Sequence, residues 1–197
     1  MPAARLTAAE RRASLLESAC AVFGRGSYRG TTTADLSAAA GVTEPILYRH
    51  FESKRALYLA CLTECWERVR AVWEQAIAAE LDPGLWVAAM GRAFLESKEA
   101  RPVISNMWVQ ALAEAVEDEQ IAAFMRAHLR EVHAYTADVF RRAREAGGVP
   151  ADRDPDAEAW IFLALGLLSM ADRAVGGPMD EDWPKIRESR RRWVTGK

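Results

Sequence analysis

Residues 30–58 read GTTTADLSAAAGVTEPILYRHFESKRALY, and the fold turns on how that stretch divides. Thr31 or Thr32 opens a helix, with Asp35 in the first turn, where a negative charge suits the helix dipole. Gly41 ends that helix after about two turns by supplying a backbone shape other residues resist. Thr43 then caps a second short helix that runs to about Phe51; Pro45 is tolerated because first-turn amides have no partner inside a helix. Leu36, Ala40, Val42 and Leu47 give apolar contact between two steeply crossing helices, and Ser37, Ala38 and Ala39 are small enough for close approach. A short helix, a bend and a second short helix that can lie in the major groove is helix-turn-helix logic.

Helical signals continue on both sides, and no stretch combines strict alternation with β-branched residues, so the expected fold class is all-α. Upstream, Thr7 and Glu10 form a capping box before the helically spaced Leu15, Leu16, Ala19, Val22 and Phe23, and Gly24 and Gly26 stop that helix. Downstream, Ser53 caps a helix from Lys54 to about Leu81, roughly 40 Å long, which Asp82-Pro83-Gly84 breaks. That length can join two domains, expected at 1–55 and 56–197. Further helices are expected over about Leu85–Lys98, Val103–Val116, Glu119–Ala146 and Pro155–Val175, with a short last one over Glu181–Val194. In Asp154-Pro155 a capping side chain precedes proline at the first helical position, the strongest start signal in the chain.

The run from Gly30 to Tyr58 closely resembles the DNA-binding region of the TetR (tetracycline repressor) family, over about residues 10–62. The resemblance implies that Thr32 or Thr33 and Lys54 hold phosphates, that Thr43, Glu44, Pro45 and Ile46 face base edges, and that Tyr48 and His50 brace the backbone beside Arg49. Many family members carry Lys and Gly where this chain has Glu44 and Pro45. Glu44 either accepts from a cytosine amino group or stabilises the first helical turn without touching a base. The family further implies a ligand that enters the body and moves the long helix, so that two heads no longer fit successive grooves.

Charge agrees in direction. The whole chain carries −2, but residues 1–60 hold 8 Lys/Arg against 5 Asp/Glu, a basic head on an acidic body. Met1 to Glu10 lacks the apolar run of a signal peptide, and Ala159–Ala171 is shorter than the roughly 20 residues a bilayer demands, so a cytoplasmic protein with no membrane partner is expected.

All seven Trp lie after residue 61, and a roomy apolar pocket would use such a lining. Trp66, Trp73, Trp86, Met90, Phe94, Met107, Trp108, Phe124 and His128 are the candidates for an unknown small-molecule effector, with ordinary core as the competing role of each. The Pro155 helix is apolar nearly all round, which suggests a partner on its second face. With the Glu119 helix it would form a four-helix homodimer interface through Ile121, Met125, Val132, Tyr135, Val139, Trp160, Leu163 and Leu167. Such a dimer calls for a palindromic double-stranded operator with half-sites about one helical turn apart.

No metal, cofactor or catalytic apparatus is expected. His128 and His133 lie about 140° apart on a helix and cannot share a metal from one face. Cys20, Cys61 and Cys65 read as core filling in a reducing compartment, and no phosphate loop or nucleophile elbow is present. A DNA-binding repressor is therefore the main expectation. A helical enzyme or ligand carrier whose head has lost DNA binding, or an adaptor docking through its body, are the alternatives.

Overall fold

The computed structural model describes residues 7–97 and 100–197, and among these it holds nine α-helices and no strand. Helices α1 (Ala8–Arg25), α2 (Thr33–Ala39) and α3 (Glu44–His50) form the head. α4 (Lys54–Ala79) leads into α5 (Trp86–Glu96), α6 (Ala100–Glu114), α7 (Glu119–Glu145), α8 (Pro155–Ala174) and α9 (Trp183–Thr195). The expected helix end at Lys98 and most of the leading segment, Met1 to Leu6, lie outside the described residues. A 3-10 turn at Pro83–Leu85, absent from the sequence reading, joins α4 to α5.

Local chemistry sets the helix starts. Thr7 and Glu10 close a reciprocal capping box, the Glu10 amide donating to the Thr7 hydroxyl at 3.2 Å and the Thr7 amide to the Glu10 carboxylate at 2.8 Å. Thr32 and Asp35 do the same for α2, with bonds of 3.1 and 2.9 Å. Asp118 caps α7 and Asp154 caps α8 through two backbone amides each. Gly41 sits at φ 63°, and the Val42 amide beyond it reaches back to the Ser37 carbonyl at 3.0 Å, which closes the bend between α2 and α3.

The apolar core runs without a break from Leu15 in α1 to Val194 in α9. α1 packs on α4 and also on α6, so the head rests on the body at two places. Beneath the head, Phe23 and Tyr58 meet edge-on at 5.0 Å and Tyr28 lies 4.7 Å from Tyr58. The Tyr58 hydroxyl donates to the Met107 carbonyl at 3.2 Å, so this aromatic knot ties α1, α4 and α6 together. Cys20, Cys61 and Cys65 are free thiols buried in the same region. No helix of the described residues is long and apolar enough to cross a membrane.

Candidate nucleic-acid interface and effector cavity

α3 is anchored by Leu47, which is buried, and turns Glu44, Pro45, Tyr48 and Arg49 to solvent. Positions 44 and 48, and 45 and 49, are one turn apart, so the four make one outward patch. Ile46 and His50 are half-buried on its flanks. Thr43 is exposed and makes no side-chain cap, unlike Thr32, whose hydroxyl is committed to Asp35. The Thr33 hydroxyl donates to the Glu44 carboxylate at 2.9 Å, which joins the start of α2 to the start of α3. This contact gives Glu44 a structural task in the free protein that the motif did not reveal.

Lys54 is placed differently from an open phosphate ligand. Its ammonium donates to the carbonyls of Tyr28 at 2.9 Å and Thr31 at 3.0 Å and lies 4.6 Å from the centre of the Tyr28 ring. The lysine thus ties the α1–α2 loop to the first turn of α4, and one of its three N–H donors remains for a phosphate.

A seam of polar contacts locks the head to α6. Asn106 donates to the Gly24 carbonyl at 2.7 Å and Gln110 to the Gly26 carbonyl at 2.6 Å, while the Tyr28 amide donates to Gln110 at 3.1 Å. Gly24 is required here, because a Cβ at that position would stand 2.4 Å from the Val103 side chain. Arg29 pairs with Glu114 at 2.8 Å and with Glu117, and Arg55 pairs with Asp118 at 2.8 Å. These ion pairs are exposed enough that each contributes little alone, and the amide-to-carbonyl bonds define the register.

Behind the seam lies a cavity of about 1120 Å³, partly open to solvent. Trp66, Trp73, Phe94 and Trp108 of the sequence candidates line it, joined by Val69, Ile104, Leu129, Phe162, Leu163, Leu167 and Met170. Trp86, Met90, Met107, Phe124 and His128 are not on its wall. Met90 and Met107 are wholly buried core, and the Trp86 indole donates to the Glu80 carbonyl at 3.1 Å. His128 sits one layer behind, its ring centroid 5.0 Å from Trp108, 5.5 Å from Phe124 and 6.1 Å from Trp66. α9 supplies wall residues that the sequence reading did not include, among them Trp183, Ile186 and Val194. It is clipped to α8 by two buried carboxylates: Glu158 accepts from the Trp193 indole at 2.7 Å and pairs with Arg190, and Asp172 accepts from the Trp183 indole at 2.7 Å.

Burial lowers the His128 pKa below its ordinary value, because a charged ring would lose its hydration, and Glu131 at 3.9 Å opposes this only in part. A base with a depressed folded pKa adds stability that is full above the unfolded value, near 6.5, and is lost as pH falls below it. The melting temperature should therefore fall between pH 7.5 and 5.5. His128→Phe should flatten that slope, and an unchanged slope in the variant would refute the assignment.

The proposed pairing surface needs correction. Ile121, Met125, Val132 and Val139 are buried inside the protomer, at 0, 2, 3 and 0% exposure, so they cannot meet a partner. The apolar stripe of α7 faces its own core, and Tyr135 is half-buried against Trp66 and Trp73. Leu163 and Leu167 point to the cavity. Trp160 alone of that set is exposed, at 47%, stacked on His133 at 4.2 Å. With Ile161, Ala164, Leu168, Ala171 and Val175 it forms an outward apolar stripe on α8. Periodicity located two apolar faces on this helix but could not say which one turns outward.

Residues 15–61 match the profile of bacterial regulatory proteins of the tetR family, and residues 83–167 match that of the BetI-type transcriptional repressor C-terminal region. The HTH-type transcriptional activator FasR of Mycolicibacterium smegmatis is 27% identical over 190 residues, 94% of this chain and 80% of that protein. The HTH-type transcriptional repressor KstR2 of Mycobacterium tuberculosis is 26% identical over 174 residues, 86% of this chain and 84% of that one. The crystal structure of a TetR-family regulator from a Rhodococcus species superposes with a TM-score of 0.83 at 21% identity, over 95% of this chain and 99% of that chain. One of these relatives is named an activator and another a repressor, so similarity gives the class of protein and leaves the sign of regulation open.

Proposed function

This chain belongs to the TetR family of transcriptional regulators, and from that premise we propose that it is a homodimeric cytoplasmic repressor, released from a palindromic operator when a largely apolar small molecule enters its body. The family consists of regulators and not enzymes. Residues 1–55 serve as the reader and 56–197 as the effector-binding and dimerisation body.

The observation that carries this reading is the position of α6. One side of the helix supplies Ile104 and Trp108 to the cavity wall. Another supplies Val103, Asn106, Gln110 and Glu114 to the head. A ligand that presses on Ile104 or Trp108 and moves α6 therefore shifts the platform on which α1 rests. Coupling needs differential contact between ligand and two states, and a helix that touches both cavity and head supports this reading by giving such a difference a route to α1.

Within the reader, Thr43, Glu44, Pro45 and Ile46 form the base-reading end of α3, while Tyr48, Arg49 and His50 brace the phosphates beside it. The remaining Lys54 donor completes the backbone grip, joined by Thr32 and Thr33 when their hydroxyls exchange Asp35 and Glu44 for phosphate. Selection of bound genomic fragments, followed by titration at several salt concentrations, tests this. Tyr48→Ala should weaken specific and random DNA alike, whereas Thr43→Ala and Ile46→Ala should change the preferred bases. A protein without sequence preference at low salt would end the proposal.

A further inference from the structure

We propose that the cavity takes an apolar molecule bearing a hydrogen-bond acceptor, a carbonyl or ether oxygen, which seats on the indole N–H of Trp73. This inference rests on the effector reading above and narrows the ligand's chemical class.

Trp73 forms part of the cavity wall and is 6% exposed, and its Nε1–H has no hydrogen-bond partner. The chain treats four other tryptophans differently. Trp66 donates to Glu131 at 2.9 Å, Trp86 to the Glu80 carbonyl at 3.1 Å, Trp183 to Asp172 at 2.7 Å and Trp193 to Glu158 at 2.7 Å. Each of those indoles receives a protein oxygen, including those of Trp66 and Trp183 on the same cavity wall, whereas the Trp73 N–H is buried without one. A buried N–H left unpaired is a net cost to the fold, so its persistence calls for a partner supplied from elsewhere.

None of the rings packed around the indole accepts a hydrogen bond from its N–H. Tyr135 stacks at 6.0 Å, and Trp66 and Phe162 meet the indole edge-on at 5.6 Å each. An N–H resting against a ring face recovers only a fraction of a hydrogen bond to oxygen. A ligand oxygen would meet little competition from water in such a wall, where a hydrogen bond is stronger than in solvent. A pure hydrocarbon would leave the donor unpaired, and a cation would engage the ring faces and ignore the N–H.

The test compares 2-decanone with decane, each displacing N-phenyl-1-naphthylamine from the full-length protein and from Trp73→Phe. The phenyl ring keeps an apolar wall and removes the donor. The substitution should weaken the ketone roughly tenfold more than the alkane. Because the variant also loses ring volume, the wild-type protein labelled with 15N-tryptophan gives a second readout: the Trp73 indole proton should move downfield with the ketone and not with the alkane. Equal losses for both probes with no distinct indole shift would overturn the proposal while leaving the effector cavity standing. Failure of both probes to displace the dye would overturn the cavity reading and this proposal together.

Discussion

Leu168→Glu is expected to split the protein into monomers and to cut operator affinity at least a hundredfold while leaving the protomer folded. Leu168 is 41% exposed on α8, in line with Trp160, Ala164, Ala171 and Val175 along one face. In the protomer a glutamate there reaches water, so stability should change by less than about 0.5 kcal/mol. In a two-fold pair the same position occurs twice, and two carboxylates must be desolvated in an apolar seam. A lone head then loses the advantage of its tethered twin, which is worth about 10²–10⁴ in avidity. Sedimentation equilibrium and operator titration read the two effects separately. A wild-type protein that sediments as a monomer, or a variant that stays paired with undiminished affinity, would remove the dimer from the proposal.

The second large effect is expected at Lys54. If this residue were only a surface phosphate ligand, Lys54→Ala would leave the melting temperature alone and lower the salt slope of DNA binding by about one contact. The contacts to the Tyr28 and Thr31 carbonyls and to the Tyr28 ring argue for a structural share as well. Charge-assisted hydrogen bonds contribute roughly 1.5–3 kcal/mol each when intact, but the freed carbonyls partly recover water because the site is only half-buried. A net loss of about 2 kcal/mol is expected, or roughly 4–8 °C in melting temperature for a chain of this length. Calorimetry without DNA decides the matter, since an unchanged melting temperature would assign the lysine wholly to phosphate.

These two residues also show how far the sequence could be read. Lys54 was recognisable as part of a DNA-binding signature, yet its partners lie 23 and 26 residues away on a loop whose path no motif describes. Leu167 and Leu168 are neighbours of one residue type, and periodicity cannot tell that the first lines a cavity while the second faces solvent. The same limit applied to α7, where an amphipathic stripe announced that one face is buried without saying against what. α6 gave even less warning, because its double duty depends on Asn106 and Gln110 meeting carbonyls 82 and 84 residues earlier.

The features that sequence alone determined are those whose partners sit within a turn or two of chain. The capping pairs Thr7 with Glu10 and Thr32 with Asp35, the Asp154-Pro155 helix start and the left-handed Gly41 are all local, and the resemblance of residues 30–58 rests on that same short-range grammar. Only tertiary structure decided which faces meet, that the Trp73 indole N–H is buried without an acceptor, and that α6 touches both cavity and head. Those outcomes depend on close packing between segments far apart in the chain, where a shift of one residue in helical phase turns a side chain by about 100° and exchanges core for surface.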